Sequence, residues 1–264
     1  MEPIIKWKVL EGVGFDLFNH HISLESQLHP RTLIMTWVVL TILTVFVLLA
    51  TRRLTSGKPG KVQNVLEWIV DFVRGMMGDN MDYRKGAGLF SYLITLIMFI
   101  FLSNMMGLVP NFLGPVFSRI SFAQLDEMFG HATLQSPTAD VNVTMSIALM
   151  TFVLIFVMGI KTRKGAFGKH FLEPAWPFAI IHAIDYLMKP VTLAFRLFGN
   201  IFAGEVLIFV IIMLPTNLSL IGALGGVLPM AVWIAFSIFI GTIQAYIFTV
   251  LTTAFIGQAM SSDH

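Results

Sequence analysis

Two stretches of this chain, residues 176–214 and 220–257, remain apolar with hardly a lapse, and three more, 33–50, 89–109 and 141–160, are each long enough to cross a bilayer. About 20 residues rising about 1.5 Å each cover the roughly 30 Å hydrocarbon layer. No water is available there to pair backbone N–H and C=O groups, so such runs are restricted to helices that satisfy their own hydrogen bonds. The chain reads as an all-α integral membrane protein, a single membrane domain over 1–264 with about five membrane helices. Charge usage agrees: Asp, Glu, Lys and Arg make up only 12% of 264 residues, with a mean hydropathy of +0.80, where a soluble domain carries about 25% charged residues. Cysteine is absent, which excludes disulfides, thiolate metal sites and a Cys nucleophile.

Basic residues set the expected topology. Arg52, Arg53, Lys58 and Lys61 follow the first span, Arg84 and Lys85 precede the second, and Lys161, Arg163, Lys164 and Lys169 follow the third. The 110–140 loop sets only Arg119 against Asp126, Glu127 and Asp140. By the positive-inside tendency, 51–85 and 161–169 are cytoplasmic, 110–140 is external, the N-terminus is outside and the C-terminus inside. Residues 1–31 read as an external arm without the n- and h-regions of a signal peptide. Between the first two spans, apolar positions 62, 65, 66, 69, 72, 73, 76 and 77 repeat at the helical period while Gln63, Asn64, Glu67, Asp71 and Arg74 fill the other face. That pattern predicts an amphipathic helix over 62–78 lying in the membrane interface.

The last two stretches are too long for upright spans. As straight helices each reaches roughly 55–60 Å, nearly twice the hydrocarbon core. Either they break, at Pro190 or Pro229, or they lie steeply slanted; the favoured reading is a slanted helical hairpin turning near 215–219.

This hairpin carries the chain's misplaced polar residues. Stepping 100° per residue from Arg196, Asn200 lies roughly 40° away, Lys189 and Asp185 roughly 20°, and His182 roughly 40°, with Thr192 one turn back. Glu205 lies roughly 180° round and about 13 Å further along. Ser237, Gly241 and Gln244 share one face of the final helix. A lone arginine near a helix end commonly snorkels to the surface, but this stripe continues N-terminal to Arg196, and an ionisable residue inside a span is a functional signal. Guanidinium keeps its proton at physiological pH, so it blocks cation leakage and attracts a carboxylate without relaying a proton. Two polar faces at different depths, divided by a fixed cation, suggest two aqueous half-pathways: Glu205 and Gln244 outside, Asp185, Lys189 and His182 inside. GALGG at 222–226 is too apolar for a phosphate loop. No nucleophile–His–acid set, metal cluster or nucleic-acid patch is visible, which argues against catalysis by this chain alone.

PVTLAFRLFGNIFAGE at 190–205, with SPTADVNVT at 136–144 and IQAYIFTVLT at 243–252, resembles subunit a of bacterial F-type ATP synthases, and the resemblance runs from about residue 33 to the C-terminus. It implies a non-catalytic stator subunit of the bacterial inner membrane, facing the c-subunit ring, assembled with the b-subunit peripheral stalk and the rest of the complex, surrounded by lipid, and without cofactor, metal or nucleic acid. It also implies that Arg196 passes the c-subunit carboxylates between two proton half-channels. Asn200, Glu205 and Gln244 match positions near that arginine and the external path, joined as candidates by Ser237, Asp140 and Asn142. Lys189 and Thr192 match the cytoplasmic side, joined by Asp185 and His182. Some members of that family carry an acid where His182 stands, a histidine where Ser237 stands and an acid where Gly107 stands. Two alternatives stand against it. One is a stand-alone secondary transporter or channel using an intramembrane Arg/Glu pair, for which paired, interrupted half-helices are not visible. The other is a structural scaffold anchoring a peripheral complex, in which Arg196 would tolerate substitution.

Overall fold

The computed structural model describes residues 30–52, 54–55, 59–108, 136–163, 178–213 and 220–261. The N-terminal arm up to residue 29, most of the 110–140 loop, Lys164, Lys169 and the 215–219 turn lie outside the described residues.

Among the described residues, six helices carry the architecture: α1 (Pro30–Thr51), α2 (Lys61–Asn80), α3 (Phe90–Met106), α4 (Val141–Arg163), α5 (Phe178–Met213) and α6 (Leu220–Met260). A helical turn at Tyr83–Gly86 and a 3-10 turn at Ala87–Leu89 lead into α3, and another 3-10 turn, Pro137–Ala139, precedes α4. Among the described residues, five stretches are long and apolar enough to cross a membrane: Thr32–Thr51, Arg84–Met106, Val141–Arg163, Ile184–Leu207 and Leu228–Met260. The chain is a multi-pass, all-α membrane protein.

α5 and α6 run through Pro190 and Pro229 without a break. Their 36 and 41 residues make helices of roughly 54 and 62 Å. α2 is amphipathic. It buries Val73, Met76 and Met77 while Asp71 and Arg74 stay exposed, paired at 3.6 Å.

Packing centres on α3, α4, α5 and α6. One apolar cluster joins Val73 and Met77 of α2 to Leu93, Ile155, Tyr186 and Ile256. The second gathers Leu96, Ile100, Ala148, Leu193, Leu197 and Phe248. Helices in lipid associate by close van der Waals fit and interhelical hydrogen bonds, which favours small residues at crossings. Gly257 shows why: a Cβ there would overlap the Asn80 backbone carbonyl, so only glycine lets the end of α2 rest on α6. α1 leans on α3 and leaves Trp37, Leu48 and Leu49 more than half exposed. Those side chains suit acyl chains.

A polar junction at α3, α5 and α6

Three of the membrane helices turn polar side chains toward one another, and the segment before α4 completes the junction. In α3, Asn104 is 3% exposed and its Nδ2 donates to the Gly241 carbonyl of α6 at 2.9 Å. That approach needs Gly241, since a Cβ there would stand 3.2 Å from Asn104 Cβ and 3.0 Å from the Met105 methyl. Asn104 Oδ1 accepts from Thr138 Oγ1 at 2.7 Å. Thr138 follows the Ser136-Pro137 start of a 3-10 turn, where proline is favoured at the first helical position and serine caps it. Ser136 Oγ donates to the Ser103 carbonyl at 2.7 Å, lies 2.6 Å from Thr138 Oγ1 and accepts from Thr138 N–H at 3.3 Å.

Glu205 of α5 enters this junction with its carboxylate. Its Oε1 accepts the Ser136 backbone N–H at 2.9 Å, and its Oε2 is buried without a hydrogen-bond partner among the described residues. Next to it lies a cavity of about 210 Å³, lined in part by Asn104, Gly107, Asn200, Glu205, Trp233 and Ser237. That is room for several water molecules. Among the described residues, Glu205 is the one ionisable side chain in the lining. Trp233 is held there by its indole N–H, which donates to the Gly204 carbonyl at 3.1 Å.

The expected site residues fall into separate groups. Asn200 and Gln244 meet: Asn200 Nδ2 donates to Gln244 Oε1 at 2.9 Å, bridging α5 and α6, while the buried Gln244 Nε2 has no described partner. Asn200, Glu205 and Ser237 line the one cavity, although Asn200 and Glu205 are far apart round the helix. Arg196 stands near the middle of the Ile184–Leu207 span, exposed on the chain, and the three ion pairs among the described residues do not involve it. It makes no pair with Glu205, in keeping with their opposite faces.

Towards the start of α5, Lys189 Nζ lies 3.4 Å from Asp185 Oδ2, donates to Gln258 Oε1 at 3.5 Å and sits 4.3 Å above the Tyr186 ring. Thr192 is exposed and its hydroxyl turns back to the Lys189 carbonyl at 2.9 Å. His182 lies on α5, and its side chain is outside the described residues. Asp140 and Asn142 do not line the cavity. Asp140 is 7% exposed, accepts Thr32 Oγ1 at 2.9 Å and Asn142 N–H at 2.8 Å, and so starts α4 and ties it to α1. The Asn142 side chain is exposed.

As individual residues, Asn104, Ser103, Ser136, Thr138, Trp233 and Gln258 carry no expectation from the sequence, although Ser136 and Thr138 belong to the SPTADVNVT stretch. The signal that singles out Asn104 is the one applied to Arg196, a polar residue inside an apolar run. For Ser136 and Thr138 it is Ser-Pro turn chemistry. Nothing local marks Trp233 or Gln258.

A multi-pass bundle that keeps an arginine, a carboxylate and paired amides within its spans defines an ion-transport membrane protein. The chain belongs to the ATP synthase A chain family, whose model matches residues 33–257. It is 35% identical over 261 residues to ATP synthase subunit a of Desulforamulus reducens, covering 98% of this chain and 90% of that protein. With ATP synthase subunit a of Bacillus velezensis it shares 38% identity, covering 92% of this chain and 97% of the relative, and with that of Bacillus subtilis 38%, covering 88% and 93%.

Proposed function

We propose that this chain is the proton-translocating stator subunit of a bacterial F-type ATP synthase, non-catalytic by itself, joining two offset half-channels to the carboxylates of a rotating c-subunit ring. One observation carries the reading. Arg196 is near the centre of an apolar span, exposed on the isolated chain and without an ion-pair partner among the described residues. A charge in that position is costly by at least about 2.5–3.5 kcal/mol unless something answers it. A carboxylate presented by a second subunit answers it, and exchange of one such carboxylate for the next is rotation.

The depths of the other groups support two separated paths. Glu205 lies about 13 Å beyond Arg196 along α5, with its cavity reaching back to Asn200 about 6 Å from Arg196, and the Asp185–Lys189 group lies about 11–16 Å the other way. With the basic 161–169 segment in the cytoplasm, Lys189, Asp185, His182 and Thr192 belong to the inner path, and Glu205, Asn200, Gln244 and Ser237 to the outer one. In that orientation the N-terminus is outside and the C-terminus cytoplasmic, in the inner membrane. The length of α5 and α6 requires them to slant, which presents a long flank to the ring. The b-subunit stalk and the remaining complex are the other partners.

The test is proton flux in inverted membrane vesicles carrying Arg196→Ala, with assembly verified. Loss of ATP-driven acidification with a retained or raised passive leak, after the peripheral ATPase sector is stripped, is the expected result. Normal pumping would remove the central residue of the reading.

A further inference from the structure

We infer that Ser136 is a positioning residue for Glu205, holding its carboxylate at one point of the junction. The inference rests on the reading that Glu205 serves the translocation path. A glutamate has three rotatable side-chain bonds, and at Glu205 the one described hydrogen bond is the Ser136 backbone N–H, 2.9 Å from Oε1. The donor is itself held. Ser136 is 2% exposed, with its hydroxyl on the Ser103 carbonyl of α3 and on Thr138. Thr138 in turn reaches Asn104, and Asn104 reaches the Gly241 carbonyl of α6. The placement of α3 against α6 is thereby transmitted to one amide hydrogen and from there to α5. Gly107 leaves the space: a Cβ at that position would stand 2.9 Å from Ser136 Cβ and 3.0 Å from Glu205 Oε1.

The amide belongs to the backbone, so the Ser136 side chain acts through it. Ser136→Ala keeps the N–H and removes the hydroxyl's bond to the Ser103 carbonyl, leaving the Thr138–Asn104 bond as the remaining tie to α3. Ser136→Pro removes the N–H as well, at a residue whose φ of −61° already suits proline.

The experiment measures ATP-driven pumping in vesicles of the assembled complex for Ser136→Ala, Ser136→Pro, Glu205→Gln, Glu205→Asp and Ser136→Ala/Glu205→Asp. Ser136→Ala should lower pumping about three- to tenfold, short of the ~100-fold that a 1 Å misplacement can cost, and Ser136→Pro should lower it more. In the double variant the losses should not multiply, because both act on one carboxylate. A merely structural serine would instead give multiplying losses, and that result overturns the inference. So does normal pumping in Ser136→Ala when Glu205→Gln is impaired. Normal pumping in Glu205→Gln would sink the functional reading of Glu205 itself.

A second measurement does not require the serine variants to assemble. Amide hydrogen exchange over residues 135–139 of the purified complex should quicken in Glu205→Ala, since the Ser136 N–H loses its acceptor. Unchanged protection there would show that the tether does not exist.

Discussion

Replacing Asn104 by leucine removes the polar bridge between α3 and α6. The side chain is buried and makes two hydrogen bonds, one to the Gly241 carbonyl and one from Thr138 Oγ1. Leucine keeps the branched outline but is bulkier, so an overpacking cost of about 1–3 kcal/mol adds to the loss of the bonds and has to be separated from it. Interhelical hydrogen bonds in membranes average about 0.6 kcal/mol and reach about 1.7 kcal/mol, so losing two should cost about 1 kcal/mol, with about 3 kcal/mol as a ceiling. The lower figure is favoured because Thr138 Oγ1 lies 2.6 Å from Ser136 Oγ and can donate there instead. One kcal/mol is about a fivefold shift in the folding equilibrium. Equilibrium unfolding of the purified chain in mixed micelles, followed by tryptophan fluorescence, measures it, and a cycle with Thr138→Val separates the two bonds. The reasoning fails if Asn104→Leu costs no more than a substitution on the exposed face of α1, or if its effect adds fully to that of Thr138→Val.

Gly257→Ala should destabilise the chain by about 1–3 kcal/mol, because the new methyl meets the Asn80 backbone rather than a flexible side chain; a thermal unfolding scan of the purified chain reads it, and a midpoint equal to that of the parent would mean that α2 moves aside freely. Asp185→Asn should change stability by less than about 0.5 kcal/mol, since the Asp185 side chain is 65% exposed in its pair with Lys189. The same scan should therefore leave the midpoint within error, whereas any effect on pumping would point to a role in the inner path.

Hydrophobic length is a one-dimensional property, which is why the five spans and the amphipathic helix are legible along the chain. An apolar run of the right length has few options in a bilayer, and α2 begins and ends within two residues of the expected 62–78. The angular spacing of residues on α5 is equally local, so the separation of Arg196 from Glu205 follows from the helical period. What lies opposite each residue does not. Nothing in the sequence indicated that Glu205 would bond to the amide of Ser136, which precedes it by 69 positions. Nor did the helical wheel bring Asn200 and Glu205 to one cavity, because the wheel describes a single helix and the cavity is made by three. Asp140, a candidate for the external path, has one carboxylate oxygen on the Asn142 N–H at the start of α4 and the other on Thr32 of α1, contacts that the sequence does not indicate. The sequence by itself determined how many helices cross and which polar residues they carry inward. The tertiary structure decided which of those residues share a space, because that depends on helix crossings set by glycines such as Gly241 and Gly257, whose partners stand far away in the chain.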